Sequence, residues 1–248
     1  MTANLLQQEH LNAIIVGNGA IGTALAGSLL ERSELQQLVI LQRSIETSLD
    51  DPRVTIVGFD AEQPCSVTAA AMTVRKTLQR AHLMINTVGM LHNDQQQPEK
   101  RLRSLEPENL QRSFAINATL LPVLVQAFGE LLRHDEAAIF ASLSARVGSI
   151  EDNHLGGWYS YRASKAAHNM LLRTIAHEWR MSHRNAAIVA LHPGTVASPL
   201  SAPFITSGYK HPVRSPSECA ESLLQVLSNL PPEPSGQFYD WQGKIIPW

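Results

Sequence analysis

The sequence predicts an α/β protein with a doubly wound parallel sheet and helices on both faces. Three observations point there. Short apolar, β-branched runs alternate with longer helical stretches along the whole chain. The runs are apolar almost throughout, the pattern of strands buried on both faces. A glycine-rich turn stands between the first run and the first helical stretch, where an open α/β sheet of Rossmann type binds a dinucleotide. Strand-helix alternation demands right-handed crossovers and a parallel sheet.

In order, strands are expected at residues 12–16, 38–41, 54–57, 83–86, 138–142 and 187–191. Helices are expected at 21–32, 66–80, 108–132, 161–180 and 216–230, several opened by Pro, Ser or Glu. Residues 90–107, polar and Gln-rich, and 196–215, rich in Pro and Ser, fit neither pattern. Each follows an expected strand, so each is placed over the carboxyl edge of the sheet, with 196–215 as a substrate lid.

The 248 residues suit one large core and are too few for two ordinary domains with linkers, so 1–248 is read as a single domain. Hydrophobic residues make up 44% and charged residues 17%, a globular balance that excludes disordered and fibrous classes. Lys and Arg number 20 against 22 Asp and Glu, and neither half has a basic excess, which argues against a nucleic-acid partner. The two cysteines, Cys65 and Cys219, lie far apart without metal-ligand spacing, and the ten histidines form no HxxxH or HExxH pair. No metal is expected, and a reducing cytoplasm fits. Residues 13–30 are apolar enough to raise a membrane span, but no Lys or Arg precedes them, and their glycines suit a turn better than a bilayer.

Gly17-Asn18-Gly19-Ala20-Ile21-Gly22 follows the first strand and opens the first helix. Glycines there permit a tight turn and bring backbone N–H groups to a pyrophosphate at the positive helix end. The alternative is that they only tighten the turn. At the end of the second strand, where an acidic residue would hold ribose hydroxyls, the chain has Gln42-Arg43. A guanidinium suits a 2′-phosphate, so NADP(H) is favoured, and Gln42 leaves NAD(H) open. Tyr161 and Lys165, at i and i+4, share a helix face, where an ammonium stabilises tyrosinate for proton exchange with a substrate oxygen. Ser144, just beyond a strand, is placed to hydrogen-bond the same oxygen, or simply to cap a turn.

Taken in order, these motifs make the chain resemble the short-chain dehydrogenase/reductase family over essentially its full length. The series continues with Asp60 after the third strand, Asn86-Thr87-Val88-Gly89 in place of an Asn-Ala-Gly element, Asn117 within Phe114-Ala115-Ile116-Asn117-Ala118, and Pro193-Gly194-Thr195 after the sixth strand. Leu143 to Ile150, Tyr159 to Ala167 and the Asp240-Trp241-Gln242-Gly243 ending look like its C-factor-like (cell-cell signalling protein homologue) branch. The resemblance implies hydride transfer between NADP(H) and a small carbonyl/alcohol pair. By it, Tyr161 protonates the oxygen and Lys165 holds the nicotinamide ribose. Ser144 polarises the carbonyl, and Asn117 places a water linking Lys165 to solvent. Asp60 contacts adenine, Gly89 admits the cofactor to the fourth strand, and Pro193 to Val196 complete its site. A homodimer or homotetramer is also implied.

Three departures stand out. The usual Thr-Gly-x-x-x-Gly-x-Gly element is one residue shorter here and lacks Thr, the Ser144 to Tyr161 interval is longer than usual, and Ala145 stands where a second serine often serves. The last favours a competing reading, a nucleotide-binding signalling or regulatory protein with little turnover.

Overall fold

In the computed structural model, which describes residues 9–45 and 49–248, seven parallel strands form one sheet in the order β3-β2-β1-β4-β5-β6-β7. They are β1 (Leu11–Val16), β2 (Leu35–Gln42), β3 (Val54–Gly58), β4 (Leu83–Asn86), β5 (Ala138–Leu143), β6 (Ala186–His192) and β7 (Phe238–Asp240). The helices are α1 (Ala20–Leu30), α2 (Pro64–Thr77), α3 (Pro107–Phe114), α4 (Leu120–Phe128), α5 (Tyr159–Ser182) and α6 (Pro216–Ser228). This is the doubly wound single domain that the alternation predicts.

Side chains alternate across the strands and feed two cores. On one face Ile14 and Val16 of β1, Met84 of β4 and Phe140 of β5 pack beneath α2, α4 and α5, with Val74, Leu124, Phe128, Leu172 and Trp179. On the other, Ala13, Ile15, Ile85 and Ile139 meet Leu25 and Leu29 of α1 and Leu223 and Leu227 of α6. Burial on both sides explains why the strands read as continuous apolar runs. Because β2 and β4 flank β1, the chain crosses to opposite sides of it, and a crevice opens at the carboxyl ends of β1 and β4.

Two expectations need correction. The single helix predicted over residues 108–132 is composite: α3 runs into a π turn at Ala115–Thr119, then α4, then a 3-10 turn at Gly129–Leu132. Leu120 N donates to Ala115 O, five residues back. In that register the residue facing the Asn117 carbonyl is Pro122, which has no N–H. The second correction is β7. Three residues pairing only with β6 carry too short a pattern to announce a strand.

The span Pro107–Leu132 is long and apolar enough to cross a membrane. Leu120, Leu121, Leu124 and Phe128 are nonetheless buried against the sheet, which accounts for the apolarity as core packing.

Burial, acting first, lowers the pKa of four histidines, His82, His168, His183 and His192, with His168 brought to about 3 and His192 to about 4. The folded chain therefore holds them neutral, whereas in the unfolded chain each takes up a proton near the reference ~6.5. Their contribution is complete above about pH 6.5 and is lost as pH falls below it. Each enclosed histidine removes up to about 1.4 kcal/mol per pH unit. The urea midpoint should fall between about pH 6.5 and 5, before most carboxylates protonate. A midpoint that stays level across that range would contradict this account.

Candidate active site

The turn from β1 to α1 is built by glycines that do different jobs. Gly17 has φ +96°, and a Cβ there would lie 2.8 Å from Thr87 Oγ1. The Thr87 hydroxyl donates to Val16 O at 2.8 Å and clasps the turn from β4, although the turn's own Thr is missing. A Cβ on Gly22 would come within 2.1 Å of Gly17 O, so α1 sits directly on the turn. Gly19 is the helix N-cap, lacks a side-chain cap, and faces open space. N–H groups of a first helical turn lack intrahelical partners, and here glycine leaves room for an anion to reach them. Asn18 and Gly19 are exposed, Ala20 and Ile21 half-buried. Open space over an uncapped helix start fits a dinucleotide pyrophosphate.

Toward the β2 edge, Arg43 is exposed, whereas Gln42 is buried and donates its amide to Ser44 O at 2.6 Å. The structure thus leaves Arg43 open to solvent just past β2 and turns the glutamine inward. Asp60 Oδ1 accepts from Glu62 N at 3.0 Å and Oδ2 from Gln63 Nε2 at 3.2 Å, folding its own turn. Asn86 donates to Ser142 Oγ at 3.0 Å and accepts from Val88 N at 3.1 Å, fixing the residues that lead to Gly89. A Cβ on Gly89 would stand 3.4 Å from Lys165 Nζ.

Lys165 and Tyr161 project from α5. Lys165 is 2% exposed, its Nζ donates to Leu143 O at 2.9 Å, and it lies 5.9 Å from the Tyr161 ring centre. Burial pushes the Tyr161 phenol up to about 12 and the Lys165 ammonium down to about 8. Asn117 crosses from the π turn: Oδ1 accepts from Met90 N and Nδ2 donates to Met90 O, both at 2.8 Å, and Nδ2 also donates to Ser164 Oγ at 3.1 Å. Its carbonyl accepts from His168 Nδ1 at 2.9 Å. Asn117, Tyr161, Lys165 and Gly89 therefore share one locus. Ser144 is buried, and its hydroxyl donates to Asn169 Oδ1 at 2.6 Å.

The loop after β6 completes the crevice. Gly194 has φ +78°, and a Cβ there would meet the Trp241 ring at 3.0 Å. Arg214 stacks 4.0 Å from that ring. Cys219 Sγ donates to Pro193 O at 3.7 Å, and Thr195 Oγ1 shares a hydrogen bond with Tyr209 OH. Val196 is buried and bridges to Arg214, so the loop over residues 196–214 closes on itself.

Glu99 and His92 carry no motif, yet they set the surroundings of Trp158 and Phe204, two aromatic residues whose sequence positions beside Tyr161 and in the 196–215 lid suit a pocket lining. Trp158 has φ +53°, a left-handed conformation that is costly for a bulky side chain, and follows Gly156 and Gly157, both also at positive φ. It is held by its N–H donating to Glu99 O at 2.5 Å. The buried Glu99 carboxylate accepts from Ser160 N and Ser160 Oγ at the start of α5, a favourable place for negative charge. Trp158 then packs 5.0 Å from Phe204 of the 196–214 loop and 6.2 Å from Tyr161, with His92 edge-on to Phe204 at 5.6 Å. The extra residues between Ser144 and Tyr161 thus build an aromatic wall beside the phenol. Only a segment remote in sequence reveals Glu99's role.

Away from the crevice, His82, His134 and Glu136 bring three potential ligand atoms within 4.8 Å of one another. They come from two chain segments, so no spacing motif marks them. Asn12 N donates to His82 Nδ1, which puts the His82 proton on Nε2, where it donates to Glu136 at 2.7 Å. That proton occupies the lone pair a cation needs.

Residues 12–207 match the family model described as short chain dehydrogenase, and the chain belongs to that family as an oxidoreductase. Among relatives, a 1-hydroxy-2-glutathionyl-2-methyl-3-butene dehydrogenase from Rhodococcus sp. (strain AD45) is 32% identical over 192 residues, 77% of this chain and 79% of that protein. The C-signal protein of Myxococcus xanthus is 34% identical over 147 residues, covering 59% and 83%. In structure, the NADPH-bound carbonyl reductase from chicken fatty liver superposes with a TM-score of 0.84 over 97% of this chain and 100% of that one, at 26% identity.

The glycine geometry separates two substitutions. Gly19→Ala adds a methyl in open space, so it should leave the melting temperature unchanged while raising the NADPH dissociation constant roughly tenfold or more. Gly22→Ala drives a methyl into backbone and should cost about 3 kcal/mol or more of stability. Equal effects of the two on melting, measured by calorimetry, would overturn this division of labour.

Proposed function

We propose that the protein is an NADP(H)-preferring carbonyl reductase or alcohol dehydrogenase acting on a small, uncharged carbonyl/alcohol pair. The observation that carries this is a phenol beside a buried ammonium, in a crevice shared with an open, uncapped glycine turn. Arg43 supports the preference for a 2′-phosphate, as do the NADPH-bound neighbour and a second, from Burkholderia multivorans, bound to NADP.

Bound NADP(H) supplies or accepts the hydride. Gly17 to Gly22 would hold its pyrophosphate, Arg43 its 2′-phosphate, Asp60 and Val88 would flank the adenine end, and Lys165 would hold its ribose near Pro193 to Val196. In reduction Tyr161 gives its proton to the substrate oxygen. A phenol at about 12 is fully protonated near neutrality, so it is ready as an acid. Tyrosinate left behind in the buried site is offset by the Lys165 cation on the same helix face. With the ammonium at about 8, that support exists below pH 8 and is withdrawn as pH rises through it. Ser144 assists only if its hydroxyl leaves Asn169. The 196–215 lid, bearing Phe204, presents an apolar wall that suits an uncharged substrate.

Tyr161→Phe should lower NADPH-dependent turnover about 10²- to 10⁴-fold with NADPH affinity intact. Unchanged turnover would remove Tyr161 from the chemistry. Arg43→Ala should weaken NADPH roughly tenfold or more and leave NADH alone, as read by a fluorescence titration of both cofactors. Equal weakening of the two would deny the phosphate role.

A second reading, a nucleotide-binding signalling protein with little turnover, draws on Ala145 and on the engagement of Ser144 with Asn169. The 34% identity to C-signal supports it. NADPH binding with no oxidation or reduction across a broad ketone and alcohol panel would favour it.

A further inference from the structure

His168 lies one turn beyond Lys165 on α5, is 1% exposed, and none of the roles above uses it. Its Nδ1–H donates to the Asn117 carbonyl at 2.9 Å. A carbonyl only accepts, so the proton is on Nδ1 and Nε2 bears a lone pair. Nε2 is buried and has no partner among the described residues. Burying a polar nitrogen unpaired costs stability, yet the chain carries it at a position where an apolar side chain would pack without that cost.

The reason lies across the interface in the π turn. The i to i−5 register seen at Leu120 and Ala115 would give the Asn117 carbonyl an N–H from residue 122. Residue 122 is proline and has none to give. Asn117 is otherwise pinned through its side chain to Met90 and Ser164, so its carbonyl is fixed in direction and short of a donor from that register. His168 supplies one from another helix. Burial is the larger cause and the nearby Lys165 cation the second, and both keep the imidazole neutral against the opposing pull of the Asn117 carbonyl. A protonated ring would set a second cation beside the buried Lys165.

We infer that His168 is a positioning residue for the Tyr161–Lys165 proton path, its Nδ1–H holding the Asn117 carbonyl in place of the N–H that Pro122 lacks. One of that oxygen's two lone pairs is thereby taken by protein, and any water serving Lys165 has a single fixed direction of approach. This deepens the oxidoreductase reading and rests on it for its kinetic test. The hydrogen bond itself is tested separately.

The kinetic test compares two variants. His168→Leu keeps the volume and removes the donor, while His168→Asn places an amide N–H close to where Nδ1 stands. In NADPH-dependent carbonyl reduction, His168→Leu should lower kcat about tenfold with KM for the carbonyl little changed, and should displace the alkaline limb of the pH profile. His168→Asn should restore most of kcat and the original limb. Equal kcat and equal pH profiles in the two variants, or a higher kcat in His168→Leu, which is what a purely packing role predicts, would overturn the proposal. Because either variant could fail to fold, the wild-type imidazole is also read by ¹⁵N NMR. The expected result is an Nδ1–H tautomer that does not titrate between roughly pH 5 and 8. An Nε2–H tautomer, or a titration in that range, would overturn it even if the protein proved to reduce nothing. Absence of turnover with the expected NMR signature would instead count against the proposed function alone.

Discussion

The constraint on which the site depends is the burial of the Lys165 ammonium with no carboxylate paired to it among the described residues. An uncompensated cation in a protein interior is expensive. Here it meets the Leu143 carbonyl and the Tyr161 ring, and its proton affinity falls to about 8. Much of the local sequence follows from making room for it. A Cβ on Gly148 would lie 2.7 Å from Lys165 Cβ and 2.9 Å from its carbonyl carbon, so the turn after β5 meets α5 only as glycine. Gly89 clears the other side. Asn117 is locked to Met90 and Ser164, which joins the loop after β4, the π turn and α5 into one unit around the amine.

The frame was legible because its signals are local and redundant. Doubly buried strands announce themselves through apolar runs, and the glycine turn, Asn117, Tyr161 and Lys165 appear in an order that only one topology brings together. What escaped reading is set by tertiary partners. The π turn arises where Pro122 and the packing of Asn117 override a sequence that is helical throughout. Three residues of β7 have no pattern of their own and form a strand because β6 offers an edge. The cluster of His82, His134 and Glu136 is assembled by the sheet, not by spacing. Glu99 looks like one more charge in a polar loop until Ser160 gives it a helix start to cap.

Two of the departures from the family pattern find physical answers. The turn without its own threonine is clasped by Thr87, so the hydroxyl bond is made from β4. The longer stretch before Tyr161 is organised by three successive left-handed residues, 156 to 158, whose cost is borne by Glu99 on both carbonyl and carboxylate. Strain held that firmly, next to the Tyr161 phenol, has a result in the cleft: it points Trp158 at Phe204.

The third departure, alanine after Ser144, shifts weight onto the remaining groups. With the Ser144 hydroxyl donating its hydrogen bond to Asn169, the proposed mechanism leaves polarisation of a substrate oxygen chiefly to Tyr161, whose phenol is held protonated by burial. A weak acid transfers its proton readily only if its conjugate base is stabilised as it forms. In the proposed mechanism that stabilisation comes from Lys165, and a cation at the edge of its own titration near neutrality is sensitive to the dipoles around it. Under the proposed mechanism, the direction of the Asn117 carbonyl and the neutrality of the ring that holds it would thus bear on the acid strength of Tyr161 through Lys165.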